Sequence, residues 1–331
     1  MDQAALEASI VTHLQQVHAA ERAQLNELRT LADESQLAAV KALLSGHEDE
    51  TRAQVDRLEE RLGELDAGGS LRLLAQTLGG SIPKAVLDRI RPDSEAAILR
   101  DAVLAEAGEV VSYLLLEAEA VRAGDESTAV LAQEIRTQER DMLTILDTYW
   151  NQSVGIDVDR KVGLATDRSR NQVIEAMLVD HLQDIHALER NVVMMLGTVL
   201  GTVQDELARD RVQDHLDASV RHGNEVRDRL QELGARPSVR KMAQGVAFAA
   251  LKGPINFIRK EKAAKDLRDM FVVEWMESAA YRQLSVLADL LGDDRTKRIA
   301  DDHLAEEQSM AQWLDREAGR FLLETLEKER S

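Results

Sequence analysis

A chain of 331 residues, 44% of them hydrophobic, is long enough to bury two ordinary cores. A formal charge of −19 argues against a nucleic-acid partner, because phosphate contacts need surplus Lys and Arg, and makes cations the natural guests. Cysteine is absent, so disulfides and thiolate sites are excluded and any metal must sit on oxygen and imidazole.

Aromatics make up only 3% of the chain, and Ala, Leu, Glu, Asp and Arg dominate, which predicts an all-α protein. The opening MDQAALEASI is polar, and no apolar run approaches the roughly 20 residues of a membrane span, so a soluble cytoplasmic protein is expected. The first predicted helix carries the stripe Ile10, Leu14, Val17, Glu21, Leu25, Leu28, an apolar seam interrupted by one carboxylate. After a short joint at Asp33 to Ser35, the second carries Val40, Leu44, His47, Thr51, Gln54, Leu58, Leu62, with polar rungs between apolar ones. Pro83 and Pro92 follow, as Pro237 and Pro254 do later, and predict a long crossover before the third helix. That helix presents Leu99, Ala102, Glu106, Glu109, Tyr113 and Leu116. Gly124 should end it, with Ser127 and Thr128 available to cap the fourth, whose stripe is Leu131, Ile135, Gln138, Met142, Ile145, with Glu139 beside it. Residues 151–170 lack sustained helical periodicity and read as a linker.

The chain then repeats itself. HLQQVHAAER at residues 13–22 returns as HLQDIHALER at 181–190, and an ungapped shift of 168 residues makes 12 of the 24 positions from 7 to 30 identical to their partners. The predicted organisation is therefore 1–150, a linker at 151–170, and 171–331, each copy a four-helix bundle of two tight helix pairs joined by one long crossover. The second copy repeats the polar rungs with Glu189, then His215, Ser219 and His222, then Glu274, Glu277 and Tyr281, then His303 and Glu306.

Several carboxylates at one level of a bundle would repel each other and resist desolvation, so something cationic or protonated must accompany them. Glu and His three residues apart share a helix face, and His47 with Glu50, Glu106 with Glu109, Glu274 with Glu277, and His303 with Glu306 all have that spacing. This is how di-metal bundles supply ligands, and it points to iron or manganese as cofactor. The bland reading gives the same carboxylates to interhelical salt bridges with Arg, His13 and His181 to the surface or to places beside ligands, and Met142, Met310, Tyr113 and Tyr281 to core filling. His18 and His186 fall between ligand, partner of the neighbouring Glu, and exposed flank. The concurrence of four helices at one level favours metal.

These residues resemble the YciE/YciF-type ferritin-like domain, a bacterial stress-associated family of four-helix bundles. The resemblance rests on HAAER and HALER in helix one, HEDETRAQVDRLEERL and HLDASVRHGNEVRDRL in helix two, LRDAVLAEAGEVVSYLLL and LRDMFVVEWMESAAYRQL in helix three, and TQERDM and AEEQSM in helix four. It implies metal ligands Glu21, Glu50, Glu106, Glu109 and Glu139 in the first copy and Glu189, Glu274, Glu277, Glu306 and Glu307 in the second, with His47, His215 and His222 from helix two. The first copy departs from that pattern at Gln54, Gln138 and Ile135, and the second at Ala218, which predicts the stronger site in the second copy. A degenerate, non-catalytic bundle is the alternative. Two further expectations are a homo-oligomer or an internal pseudo-dimer of the copies and, as the weakest reading, membrane association through residues 246–265.

Overall fold

The computed structural model describes residues 3–67, 94–201, 203, 205–238, 241 and 262–328. These form α-helices and short turns, with no strand among them. Copy 1 comprises α1 (Gln3–Glu34), α2 (Ala38–Glu64), α3 (Glu95–Ala123) and α4 (Glu126–Leu146). A 3-10 turn at Asp147–Tyr149 leads into α5 (Trp150–Leu164), and copy 2 follows as α6 (Arg170–Leu200), α7 (Glu206–Glu232), α8 (Lys262–Leu291) and α9 (Asp294–Lys328). The chain is all-α, with two repeated bundle units.

In copy 1, α1 packs on α2 and on α3, and α4 on α3 and α2. In copy 2, α6 packs on α7, and α5 lies against α6. The described residues fall into two compact units, one of residues 3–67, 94–147, 262–268 and 315–328 and another of residues 148–201, 203, 205–238, 241 and 269–314.

The helix ends follow local chemistry. Ser94 caps α3 by accepting from the Ala97 N–H, and Gly124 ends it at φ 73, a left-handed conformation that glycine adopts without steric cost. The cap of α4 is Asp125, which accepts from the Thr128 N–H; the expected Ser and Thr lie inside the first turn. Copy 2 repeats the joint with Gly292 at φ 72 and Asp293 accepting from Thr296. In both copies an arginine of the second helix holds this joint. Arg61 donates to Asp125 at 2.7 Å and Thr128 at 2.9 Å, and Arg229 donates to Asp293 at 2.6 Å and Thr296 at 2.7 Å.

Residues 151–170 differ from expectation, for they are helical to Leu164. Trp150, Ser153, Val154, Asp157 and Val158 are buried at three- and four-residue spacing, a stripe too short and too polar to stand out in sequence. Only Ala165 to Ser169 is irregular, and Ser169 starts α6 with a capping box to Gln172.

Apolar layers enclose the polar level on both sides. Along α1, Ile10, Leu14 and Val17 are buried before Glu21 and Leu28 and Leu31 after it; along α7, Val212 precedes His215 and Val226 and Leu230 follow His222. Each fully buried Leu or Ile contributes roughly 1.5–3 kcal/mol, which offsets the cost of enclosing charge. No helix among the described residues is long and apolar enough to cross a membrane. Pro83, Pro92, Pro254 and residues 246–261 of the candidate membrane-associating stretch lie outside the described residues.

Candidate metal centre

In copy 2 all four bundle helices converge on one buried polar level. Glu189 comes from α6, His215 and His222 from two turns of one face of α7, Glu274 and Glu277 from one face of α8, and Glu307 from α9. Their donor atoms form two groups, His215 with Glu274, Glu277 and Glu307, and Glu189 with His222 and Glu307; within each, all atoms lie within 4.8 Å of one another. Glu307 belongs to both. His215 Nε2 stands 3.0 Å from Glu274 Oε1 and 3.5 Å from Glu307 Oε2, and His222 Nδ1 stands 2.9 Å from Glu307 Oε1 and 3.6 Å from Glu189 Oε1. These nitrogens are close to oxygens yet make no hydrogen bond, and both oxygens of Glu277 also lack a partner. Ligands around a first-row metal at ~2.0–2.2 Å lie about 3–4 Å apart, so the spacing and the unfilled donors fit a cation.

Copy 1 brings His47 of α2, Glu106 and Glu109 of α3 and Glu139 of α4 into one group, again within 4.8 Å and fully buried. Here the imidazole is engaged. His47 Nε2 hydrogen-bonds Glu106 at 3.1 Å and lies 3.0 Å from Glu139. Gln24 donates to Glu106 at 3.1 Å, and Gln54, at the position of His222, donates its amide N–H to Glu139. With a glutamine in place of that imidazole, no second group of His and carboxylate donors forms in copy 1 among the described residues. The carboxylate of Glu21 sits nearby, coupled electrostatically to Glu139 and Glu106.

Burial governs the protonation of both levels. It pushes Glu106 and Glu274 up to about 8 and holds Glu21, Glu109 and Glu277 well above the usual carboxylate range, with neighbouring carboxylates adding to the shift of the last three. Glu189 and Glu307 are raised by burial as well. Burial alone would lower His47 and His222, but Glu106 and Glu139 push the first up to about 12, and Glu189 and Glu307 push the second up to about 10. His215 is lowered by burial, and burial with the charge of His222 takes His303 down to about 4.

Four sequence-predicted ligands stand outside the groups. Glu306 and Glu307 are consecutive and so cannot face the same way; Glu307 points inward, while half-exposed Glu306 meets Arg221 and sits 3.1 Å from His222 Nε2. Glu50 is likewise exposed and bonds His47 Nδ1 at 3.0 Å. Both are carboxylates behind an imidazole, the arrangement that fixes ring orientation in metal sites. His303 stacks on His222 with ring centroids 3.9 Å apart and binds Glu225 at 3.0 Å. Glu21 is close to its group but not among the four.

The flanking histidines are also clear. His13 is buried and bonds Glu119 at 3.2 Å, His18 is buried and bonds Glu59 at 3.0 Å, and His181 meets the Ala280 carbonyl at 2.8 Å. Tyr113 and Tyr281, expected to fill the core, are buried there and have a polar task as well. Tyr113 donates to Glu21 and Tyr281 to Glu189, so each phenol anchors a carboxylate. The signal was present, since each tyrosine lies four residues after a glutamate of the same stripe.

No curated protein matches the chain. A solved structure of a protein from Xanthomonas campestris pv. campestris is 24% identical to it, with 48% of this chain and 99% of that one covered and a TM-score of 0.40. The model of a family described as a domain of unknown function, DUF892, matches residues 6–158 and again 173–327. The chain thus belongs to this YciF-like, ferritin-like family and carries its domain twice in tandem.

Proposed function

We propose that the chain is a cytoplasmic stress-response protein that binds a pair of iron or manganese ions in copy 2 and one divalent ion in copy 1, and uses the pair to handle dioxygen, peroxide or iron. The carrying observation is the pair of donor groups sharing Glu307, in which His215 Nε2 and His222 Nδ1 lie within 3.6 Å of carboxylate oxygens without hydrogen-bonding them.

Charge supports a pair. Glu189, Glu274, Glu277 and Glu307 together bring four negative charges when ionised, which two divalent cations balance, whereas four enclosed carboxylates alone would have to take up protons. Carboxylate and imidazole donors without thiolate suit iron and manganese. A bound redox pair would supply electrons to dioxygen or peroxide. The chain's own residues have distinct tasks in this reading. Glu277 offers both oxygens, Glu307 spans the two positions, Glu306 orients His222, and Tyr281 holds one oxygen of Glu189 so that the other is free. Copy 1 supports a lesser role, because its one histidine is already bonded and Gln54 stands where copy 2 has a second imidazole.

Elemental analysis of protein produced in medium supplemented with iron and manganese tests this. About three ions per chain are expected. E307Q, which takes a ligand from both groups of copy 2, should remove about two of them, and E139Q, its counterpart in copy 1, about one. Absence of both metals from the unaltered protein would overturn the reading in favour of a non-catalytic bundle, and equal losses from the two variants would overturn the ranking of the copies.

A further inference from the structure

A line of side chains leads outward from the buried level of copy 2 and has no match in copy 1. Glu189 and Glu307 are enclosed, with His222 beside them. His303 lies on His222 with the rings 24° from parallel, and its Nε2 is 3.0 Å from Glu225 Oε2, whose side chain is 46% exposed. His303 itself is 2% exposed, and its Nδ1 has no hydrogen-bond partner. The seam between α7 and α9 therefore joins solvent to the cluster by one hydrogen bond and one ring stack.

At the positions corresponding to Glu225, His303 and His222, copy 1 has Arg57, Ile135 and Gln54. Arg57 is paired with Glu134, so a cation approaching that seam meets a guanidinium and then an apolar side chain. The two seams differ in charge, in donors and in polarity at every step.

We propose that Glu225 and His303 form an outer transit site through which divalent cations reach the His222, Glu189 and Glu307 group, an inference that rests on the metal-binding reading above. Glu225 concentrates cations at the mouth, and His303 offers an imidazole to an ion shedding its water. Because His303 is enclosed and covers His222, its ring must turn away for an ion to pass, and this makes His303 the step that limits uptake. No covalent or redox change is involved.

The test is stopped-flow uptake of Co2+, followed by its visible absorption, into the full chain stripped by chelation, alongside the number of Co2+ bound at equilibrium. H303I installs the residue of copy 1, and E225Q alters only a charge at a half-exposed position where folding is not at stake. Both should slow uptake of the copy 2 ions about tenfold or more, the scale by which a mouth of opposite charge raises association, and leave the number bound unchanged. Uptake as fast as in the unaltered protein would overturn the transit site. So would a lower number bound, since His303 would then be a ligand. If the unaltered chain takes up no Co2+, the metal-binding reading itself fails and the transit site goes with it; normal binding with unaffected variants removes the transit site only.

Discussion

Copy 1 and copy 2 set glutamates at the same four places, Glu21, Glu106, Glu109 and Glu139 against Glu189, Glu274, Glu277 and Glu307, yet surround them with different nitrogen chemistry. Copy 1 supplies one imidazole and two amides, and these donate into the carboxylates. Copy 2 supplies two imidazoles whose inner nitrogens face carboxylate oxygens at 2.9 and 3.0 Å without hydrogen-bond alignment. The same four buried carboxylates are thus met by one imidazole and two amides in copy 1 and by two imidazoles in copy 2. On the proposed reading, the neighbouring nitrogens and not the number of buried carboxylates set how many ions each copy holds.

The comparison is broken most directly by exchanging one residue. H222Q should cost copy 2 one ion, and Q54H should give copy 1 a second, both read by elemental analysis. If Q54H gains nothing, the difference between the copies lies in helix placement and not in the nitrogen donor.

Protonation sharpens the comparison next. A carboxyl whose folded pKa is raised stabilises the fold below its unfolded value and loses that contribution as pH rises through the folded value. For Glu106 and Glu274 the window runs from 4.5 to about 8. His47 and His222, raised to about 12 and about 10, have the same sign above 6.5. His215 and His303, being lowered, act oppositely, but only below 6.5. Metal-stripped protein should therefore lose thermal stability from about pH 6.5 to about pH 8, and saturating Mn2+ should flatten the trend by replacing protons. A stripped protein whose melting temperature rises across that range would contradict this account of both levels.

The smallest expected effect concerns the tyrosines. Y113F or Y281F leaves a buried carboxylate oxygen without its donor, which costs about 1–3 kcal/mol in the stripped protein, measured by urea denaturation. The loss should be similar in the two copies, because the contact is the same in both.

Much of this was readable from spacing. Glu274 and Glu277 sit three apart on a stripe between apolar rungs, which places them inside a bundle, and there they are. The phase of a helix is harder to read. Glu306 and Glu307 differ by about 100° of rotation, and the stripe through His303 and Met310 favours the wrong one as the inward ligand. Glu50 was drawn in by its spacing from His47, whereas its place is behind the ring. Helix α5 escaped notice because Ser153 and Asp157 are buried on its inner face, and polar residues there erase the hydrophobic period.

Glu307 has one more consequence. A carboxylate common to both donor groups would make two bound ions thermodynamically dependent, since the first would settle the Glu307 rotamer and relieve repulsion that the second would also have relieved. The ordering gained and the charge already compensated act in opposite directions, and fixing a side chain of this kind is worth up to about 2 kcal/mol. Copy 2 should accordingly fill with a curve that departs from simple saturation, while copy 1, with one group, should not. One chain would then answer metal concentration with a graded response from one half and a coupled response from the other.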